Sequence, residues 1–116
     1  QKRMEIAVHA AAEDIAAEGL IGPILGHVGD GNFHSLLLVD PANADEVAAA
    51  KRIATRMAER ALAVGGTISG EHGVGLGKRG LMQAQHGEGW HLMGQIKAAL
   101  DPRGILNPGK LVPDRN

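Results

Sequence analysis

The pattern of apolar and polar positions divides the chain into three helical stretches and one hairpin. Over residues 43–64, apolar side chains recur at alternating three- and four-residue steps, with charged side chains mostly on the other face. This spacing predicts a long amphipathic helix. Asp40 or Asn43 can cap its first turn, and Gly65 with Gly66 ends it.

Two shorter helices are predicted, one before and one after that segment. Residues 4–18 are rich in good helix formers, and Gly19 is placed to end them as a left-handed cap. Residues 90–100 repeat apolar side chains on one face and end before Pro102, because a proline disfavours helical geometry in the residue that precedes it. Residues 65–78 are predicted to form a loop, since six of these fourteen residues are glycine.

A β-hairpin is predicted between the first two helices. Two short runs of β-favouring residues, 24–28 and 33–39, flank an Asp-Gly pair that is typical of a two-residue type I′ turn. Such a turn makes His27 the cross-strand partner of His34. Opposed residues have Cβ atoms about 4.5–5.5 Å apart, close enough for two imidazoles to bind one metal ion.

The second glycine-rich segment carries the adjacent pair Glu71 and His72. Side chains of neighbouring residues in an extended loop point in opposite directions, so only one of the two is expected to reach a metal. Glu71 is assigned to the metal, because a hard carboxylate complements two imidazoles, and these three ligands would leave an open coordination position. His72 is assigned to proton transfer, since the ordinary pKa of imidazole is about 6.5. Plainer interpretations stay open: an exposed histidine pair, a solvated carboxylate, and a histidine hydrogen-bonded to backbone.

Composition and charge remove several classes of function. The 116 residues carry 12 Lys and Arg against 13 Asp and Glu, and Phe33 and Trp90 are the whole Phe, Tyr and Trp content, so a nucleic-acid surface is not expected. The chain has no cysteine, which leaves histidine and carboxylate as metal ligands. No apolar run approaches the roughly 18 residues of a membrane span. A cytoplasmic protein is expected.

Three motifs in order along the chain resemble the C-terminal region of FAD-linked 2-hydroxyacid oxidases and dehydrogenases, a family of the vanillyl-alcohol-oxidase type. The motifs are GHVGDGNFH at residues 26–34, SGEHGVG at residues 69–75 and, after LDP at residues 100–102, LNPGK at residues 106–110. The family includes glycolate oxidases, D-lactate dehydrogenases and D-2-hydroxyglutarate dehydrogenases.

The resemblance implies an α+β fold in which residues 1–116 form the C-terminal part of a substrate (cap) domain. That domain is a portion of a ferredoxin-like structure, with an antiparallel hairpin packed against helices and a helical C-terminal segment. FAD is bound mainly by an N-terminal domain that these residues do not include. The chain alone is therefore not expected to turn over substrate.

The resemblance also implies a reaction and the side chains that perform it. His27, His34 and Glu71 bind a divalent metal, zinc; His72 is the catalytic base; Asn107 and Lys110 lie next to the flavin. The implied reaction oxidises a small 2-hydroxy acid to a 2-oxo acid, with hydride transfer to FAD. Leu36 stands where family members acting on hydroxyglutarate or malate carry asparagine, so glycolate or D-lactate is the expected substrate.

Two further questions stay open at the level of sequence. The protein partners are either a second copy of the chain or other subunits of an oxidase complex, and the electron acceptor can hold the protein peripherally at the inner membrane. The alternative hypothesis is a stand-alone metal-binding or protein-interaction module that keeps the fold without catalysis.

Overall fold

The computed structural model describes residues 2–113, apart from the side chain of Val28. The chain divides into two compact units, residues 1–65 and residues 66–116. The first unit contains α1 (Lys2–Ala17), β1 (Ile24–Leu25), β2 (His34–Ser35) and α2 (Ala44–Ala63). The second unit contains α3 (Met82–His86) and α4 (Glu88–Leu100). The predicted α+β class, with an antiparallel hairpin, helices and a helical C-terminal segment, is confirmed.

The ends of the two long helices agree with the sequence, because their caps are local. Gly19 follows α1 with φ 68°, a left-handed conformation that glycine adopts without steric cost. At the start of α2, the Asn43 side chain accepts hydrogen bonds from the N–H groups of Asp45 and Glu46. Of the two possible caps, Asn43 rather than Asp40 therefore occupies the capping position.

Small and aliphatic side chains fill the contact between α1 and α2. Ala11 and Ile15 of α1 and Ala49 and Ile53 of α2 are buried, and Ile53 has no exposed surface. Alanine at two of these positions lets the helix backbones approach closely, so an alanine-rich sequence can still form a packed helix pair.

Three arginines of α2 pair with two carboxylates beside this contact, one in α1 and one directly after it. Nη2 of Arg52 lies 2.7 Å and Nη2 of Arg56 lies 2.8 Å from the Glu18 carboxylate, while Arg60 binds Asp14. The hydrogen bond from Arg52, followed by that from Arg56, lowers the pKa of Glu18 to about 2. The pKa of Asp14 is also lowered, chiefly by its hydrogen bond to Arg60. These pairs fix how α1 is aligned along α2.

The hairpin has a different register from the one that the sequence predicts. Leu25, not His27, pairs with His34 in the antiparallel ladder, so the predicted cross-strand histidine pair and the two-residue type I′ turn are wrong. The His27 carbonyl accepts hydrogen bonds from the N–H groups of Asp30, at 2.9 Å, and Asn32, at 3.2 Å. The connection between the strands is therefore a wide loop that contains a 3₁₀ turn.

The backbone at Gly26 explains why the ladder stops early. A Cβ built on Gly26 would lie 2.4 Å from the Phe33 Cα and 2.5 Å from the Asn32 carbonyl oxygen. The chain therefore approaches itself too closely at this point for any other residue. Beyond Leu25 the backbone hydrogen bonds are made within the loop instead of across the strands.

The second unit consists of turns, loop and short helices. The predicted loop over residues 65–78 is confirmed. Ile68 in this loop is buried, and its N–H donates to Gln85 Oε1 at 2.9 Å, which ties the loop to α3. α4 begins at Glu88, slightly before its predicted start, and the preceding α3 is absent from the prediction. Gly87, with φ 53°, separates the two helices.

Candidate functional site

The hairpin loop brings the imidazoles of His27 and His34 together despite the changed register. Their ring centroids are 6.4 Å apart and the rings are nearly perpendicular, at 87°. His34 lies in β2 and is half-buried, whereas His27 lies in the loop and is exposed. The two rings are neighbours, as the sequence predicts, but the loop rather than the ladder makes them so.

This pair of imidazoles suits one divalent cation after a modest side-chain rotation. Zinc–nitrogen bonds of about 2.0–2.1 Å at a tetrahedral angle place the centroids of two ligating rings about 5 Å apart. The observed separation of 6.4 Å is therefore slightly too long. Rotation of the exposed His27 side chain can close the difference, because a surface side chain changes rotamer readily.

A tight turn at residues 70–73 presents Glu71 and His72. The Gly73 N–H donates to the Gly70 carbonyl at 3.1 Å, and Gly73 has φ 74°, a conformation that favours glycine. His72 Nε2 lies 3.6 Å from Glu71 Oε1. The expectation that these side chains point in opposite directions is wrong, because it assumes an extended loop. Both side chains are exposed, His72 by 75% and Glu71 by 52%.

A turn near the C terminus presents Asn107 and Lys110. The Lys110 N–H donates to the Asn107 carbonyl at 3.3 Å, and both side chains are exposed. Asn107 has φ 46° and Gly109 has φ 71°, which are left-handed conformations that asparagine and glycine tolerate better than other residues. Arg79 Nη1 donates to the Gly109 carbonyl at 3.1 Å and holds this turn in place.

Asp101 is a structural residue of this region to which the sequence reasoning gives no role. Its side chain is 4% exposed and accepts hydrogen bonds from the N–H groups of Ile105 and Leu106 and from the Lys97 ammonium. These bonds, that from Lys97 above all, lower the pKa of Asp101 to about 2. Asp101 thereby fixes the segment that leads into the C-terminal turn. The signals in the sequence are the i, i+4 spacing of Lys97 and Asp101 and the LDP motif at residues 100–102.

The structure groups the predicted site residues in three pairs. His27 and His34 are neighbours in the first unit, and in the second unit Glu71 lies beside His72 while Asn107 and Lys110 share one turn. The predicted roles of these side chains in metal binding, proton transfer and flavin contact stay predictions.

Comparison with known proteins finds one matching family and several similar dehydrogenases and oxidases. Residues 2–111 match the family described as FAD linked oxidases, C-terminal domain. A probable mitochondrial D-lactate dehydrogenase of Danio rerio is 49% identical over 100 residues, which are 85% of this chain and 20% of that protein. Glycolate oxidase subunit GlcD of Bacillus subtilis is 44% identical over 112 residues, 94% of this chain and 24% of that protein.

A relative named for a third substrate is similar to the same degree. A mitochondrial D-2-hydroxyglutarate dehydrogenase of Danio rerio is 44% identical over 99 residues, 84% of this chain and 18% of that protein. The chain thus spans about a fifth of the length of the curated relatives it matches.

Proposed function

This chain belongs to the FAD-linked oxidases, as a C-terminal domain of that family, and on this premise we propose that it forms the substrate side of a flavoprotein that oxidises glycolate or D-lactate to the 2-oxo acid. Relatives of similar identity are named for lactate, glycolate and hydroxyglutarate. Overall similarity therefore does not choose the substrate. The choice rests on Leu36, close to His34 in the sequence, whose side chain cannot hydrogen-bond a second carboxylate.

We assign a divalent metal, zinc, to His27, His34 and Glu71. The observation that carries this assignment is the neighbouring pair of imidazoles, with 6.4 Å between ring centroids. Two nitrogens and a carboxylate oxygen leave one coordination position open, as in catalytic rather than structural zinc sites. A bound metal ion supplies Lewis acidity, which lowers the pKa of the 2-hydroxyl group of the substrate.

His72 is proposed to accept the proton of the 2-hydroxyl group. Its ring is exposed at the tip of a turn, where it can meet a substrate. Glu71 Oε1 lies 3.6 Å from His72 Nε2. A carboxylate has two oxygens, so Glu71 can face both a metal ion and this ring. Bound FAD supplies the acceptor for the hydride that leaves C2.

Asn107 and Lys110 are proposed to face the flavin. The Asn107 amide can both donate and accept hydrogen bonds, whereas the Lys110 ammonium only donates. The turn that carries them is held from two sides, by Asp101 before it and by Arg79 at Gly109. This anchoring fixes the backbone from which the two exposed side chains project.

A cytoplasmic location is proposed, with any membrane association arising through the electron acceptor. Within residues 2–113, every helix is too short or too polar to cross a membrane. The remaining partners proposed are the 2-hydroxy acid, the acceptor, and either a second copy or other subunits of an oxidase complex.

The full-length gene product tests this function through its FAD content and its oxidation of a panel of 2-hydroxy acids with an artificial electron acceptor. His34→Ala is expected to lower both kcat and zinc affinity by at least about tenfold, the loss already typical of residues that only support a metal ligand. His9→Ala, at an exposed histidine of α1, is the matched control and should change neither. Bound FAD without turnover of any 2-hydroxy acid contradicts the substrate class. Zinc binding without FAD favours the stand-alone module.

A further inference from the structure

One face of the hairpin is apolar and is defined by three pairs at every second position, one within β1 and β2 and two in the segments that continue these strands. The pairs are Ile21 with Leu38, Pro23 with Leu36, and Leu25 with His34. Partners in an antiparallel ladder point to the same side, and so does every second residue along a strand. His34 therefore shares its face with five apolar side chains.

The apolar members of this face are exposed. Ile21 is 71%, Leu38 59%, Leu36 53% and Leu25 51% exposed. The other face of the hairpin is the one that packs, since Leu37 and Ile15 of α1 lie 2.9 and 3.1 Å from the position that a Cβ on Gly22 would take. Packing against α1 thus leaves the His34 face open.

Leu25 is the side chain directly opposite His34 on this face. Paired residues in an antiparallel ladder have Cβ atoms about 4.5–5.5 Å apart. The next pair on the same face, which contains Leu36, lies about 7 Å further along the strands. A small molecule held beside the His34 imidazole therefore meets Leu25 first and Leu36 second.

The charge of the surrounding sequence favours an uncharged group against Leu25. Residues 4–50 contain no lysine and no arginine. The hairpin itself therefore offers no cation to pair with a second carboxylate, and the first arginines that follow in the sequence, Arg52 and Arg56 of α2, already pair with Glu18. An apolar surface beside the reactive position instead suits an alkyl group on C2 of the substrate.

We propose that Leu25 is a specificity residue, which contacts the C3 group of the substrate and makes the enzyme prefer 2-hydroxy acids with a short aliphatic side chain. This inference rests on the proposed function and narrows it, because it favours D-lactate and its longer homologues over glycolate and over dicarboxylic 2-hydroxy acids. One methylene in an apolar site changes kcat/KM by about 10–200-fold, and a half-open face belongs at the low end of that range.

The experiment compares kcat/KM for glycolate, D-lactate, D-2-hydroxybutyrate and D-2-hydroxyglutarate in the full-length flavoprotein. Wild type is expected to prefer D-2-hydroxybutyrate to glycolate by about tenfold, and Leu25→Ala should lose most of that preference. Leu38→Ala is the matched control, since Leu38 lies on the same face about 14 Å from the Leu25 pair and has similar exposure. The ratio of the kcat/KM values for two substrates, measured in one preparation, does not depend on the fraction of the enzyme that is folded.

A second variant tests the same contact by filling the space. Leu25→Phe should lower kcat/KM for D-2-hydroxybutyrate more than for glycolate, because the larger ring competes with the alkyl group. The inference is overturned if the kcat/KM ratio of D-2-hydroxybutyrate to glycolate is unchanged in both Leu25 variants, or if Leu38→Ala changes it equally. It is also overturned if wild type prefers glycolate or D-2-hydroxyglutarate. None of these outcomes contradicts the oxidation of 2-hydroxy acids. If wild type oxidises none of the four acids, the proposed function itself fails and this inference fails with it.

Discussion

In the first unit, two long helices pack through buried aliphatic side chains and are tied by three arginines, whereas in the second unit short helices and loops are held by the buried side chains of Ile68 and Met82, one buried carboxylate and a few loop hydrogen bonds. The loops that carry the predicted site residues, the hairpin loop and the turn at residues 70–73, also differ in how tightly they are packed. At Gly26 the hairpin loop is constrained by backbone contact, while the turn with Glu71 and His72 is exposed. The chemistry of the first unit should therefore be sensitive to volume, and that of the second to charge.

The largest expected effect tests whether buried apolar contact holds the first unit. Ile53→Ala removes a fully buried side chain and should lower the free energy of unfolding by about 2–5 kcal/mol. Ile6→Ala, at a 60% exposed position of α1, should stay within about 0.5 kcal/mol of wild type. Urea unfolding followed by circular dichroism measures both variants. Equal losses in the two would show that the α1–α2 contact is not the main source of stability.

The next effect concerns the hairpin loop, where added volume should matter most. Gly26→Ala places a methyl group 2.4 Å from the Phe33 Cα, so the backbone must shift, at a cost of about 1–3 kcal/mol. His27 and His34 should move apart and zinc affinity should fall, as measured by calorimetric titration. Gly29→Ala is the control in the same loop, since no atom lies within 4 Å of its Cβ position. A similar response of the two variants would contradict the role of the close approach.

A smaller effect is expected from the ion pairs of the first unit. Arg60→Met should lower the free energy of unfolding by about 1 kcal/mol or less, because the Arg60 side chain is 40% exposed and solvent screens the pair with Asp14. A double-mutant cycle with Asp14→Asn isolates the coupling, which should shrink in about 0.5 M salt. Coupling that is insensitive to salt would argue against a screened pair.

The last prediction concerns the loss of structure in acid, which can be followed in each unit separately. The pKa of Asp101 is about 2 in the folded chain against an ordinary 3.8, so its stabilisation is present above about pH 4 and is lost as the pH falls towards 2. Trp90 is the single tryptophan and donates to the Leu111 carbonyl at 2.8 Å, so its fluorescence reports on the second unit.

The matched variant for this titration is Asp101→Asn. It should flatten the acid response of the Trp90 fluorescence, because the titrating group is gone. The decline of helical circular dichroism in the same range should remain, since Glu18 of the first unit also has a pKa lowered to about 2 and is unchanged. An acid response of Trp90 that survives the substitution would show that another group controls the second unit.

Local features could be predicted from the sequence, and contacts across a loop could not. The long helix with its Asn43 cap and the end of α1 at Gly19 depend on residues within one or two turns, so periodicity and capping rules find them. α3 is missed because it has five residues, too few for a period to appear.

For the candidate site too, the amino-acid sequence determined the local features and the tertiary structure decided the contacts. The sequence alone determined the α+β class, the three longer helices and the presence of histidines and a carboxylate in glycine-rich segments, because composition and spacing carry that information. The tertiary structure decided that Leu25 faces His34, that Glu71 lies beside His72, and that Asp101 anchors the last turn. Each of these depends on where the backbone closes on itself, and such closure is set by steric contact and hydrogen bonds that no periodic pattern records.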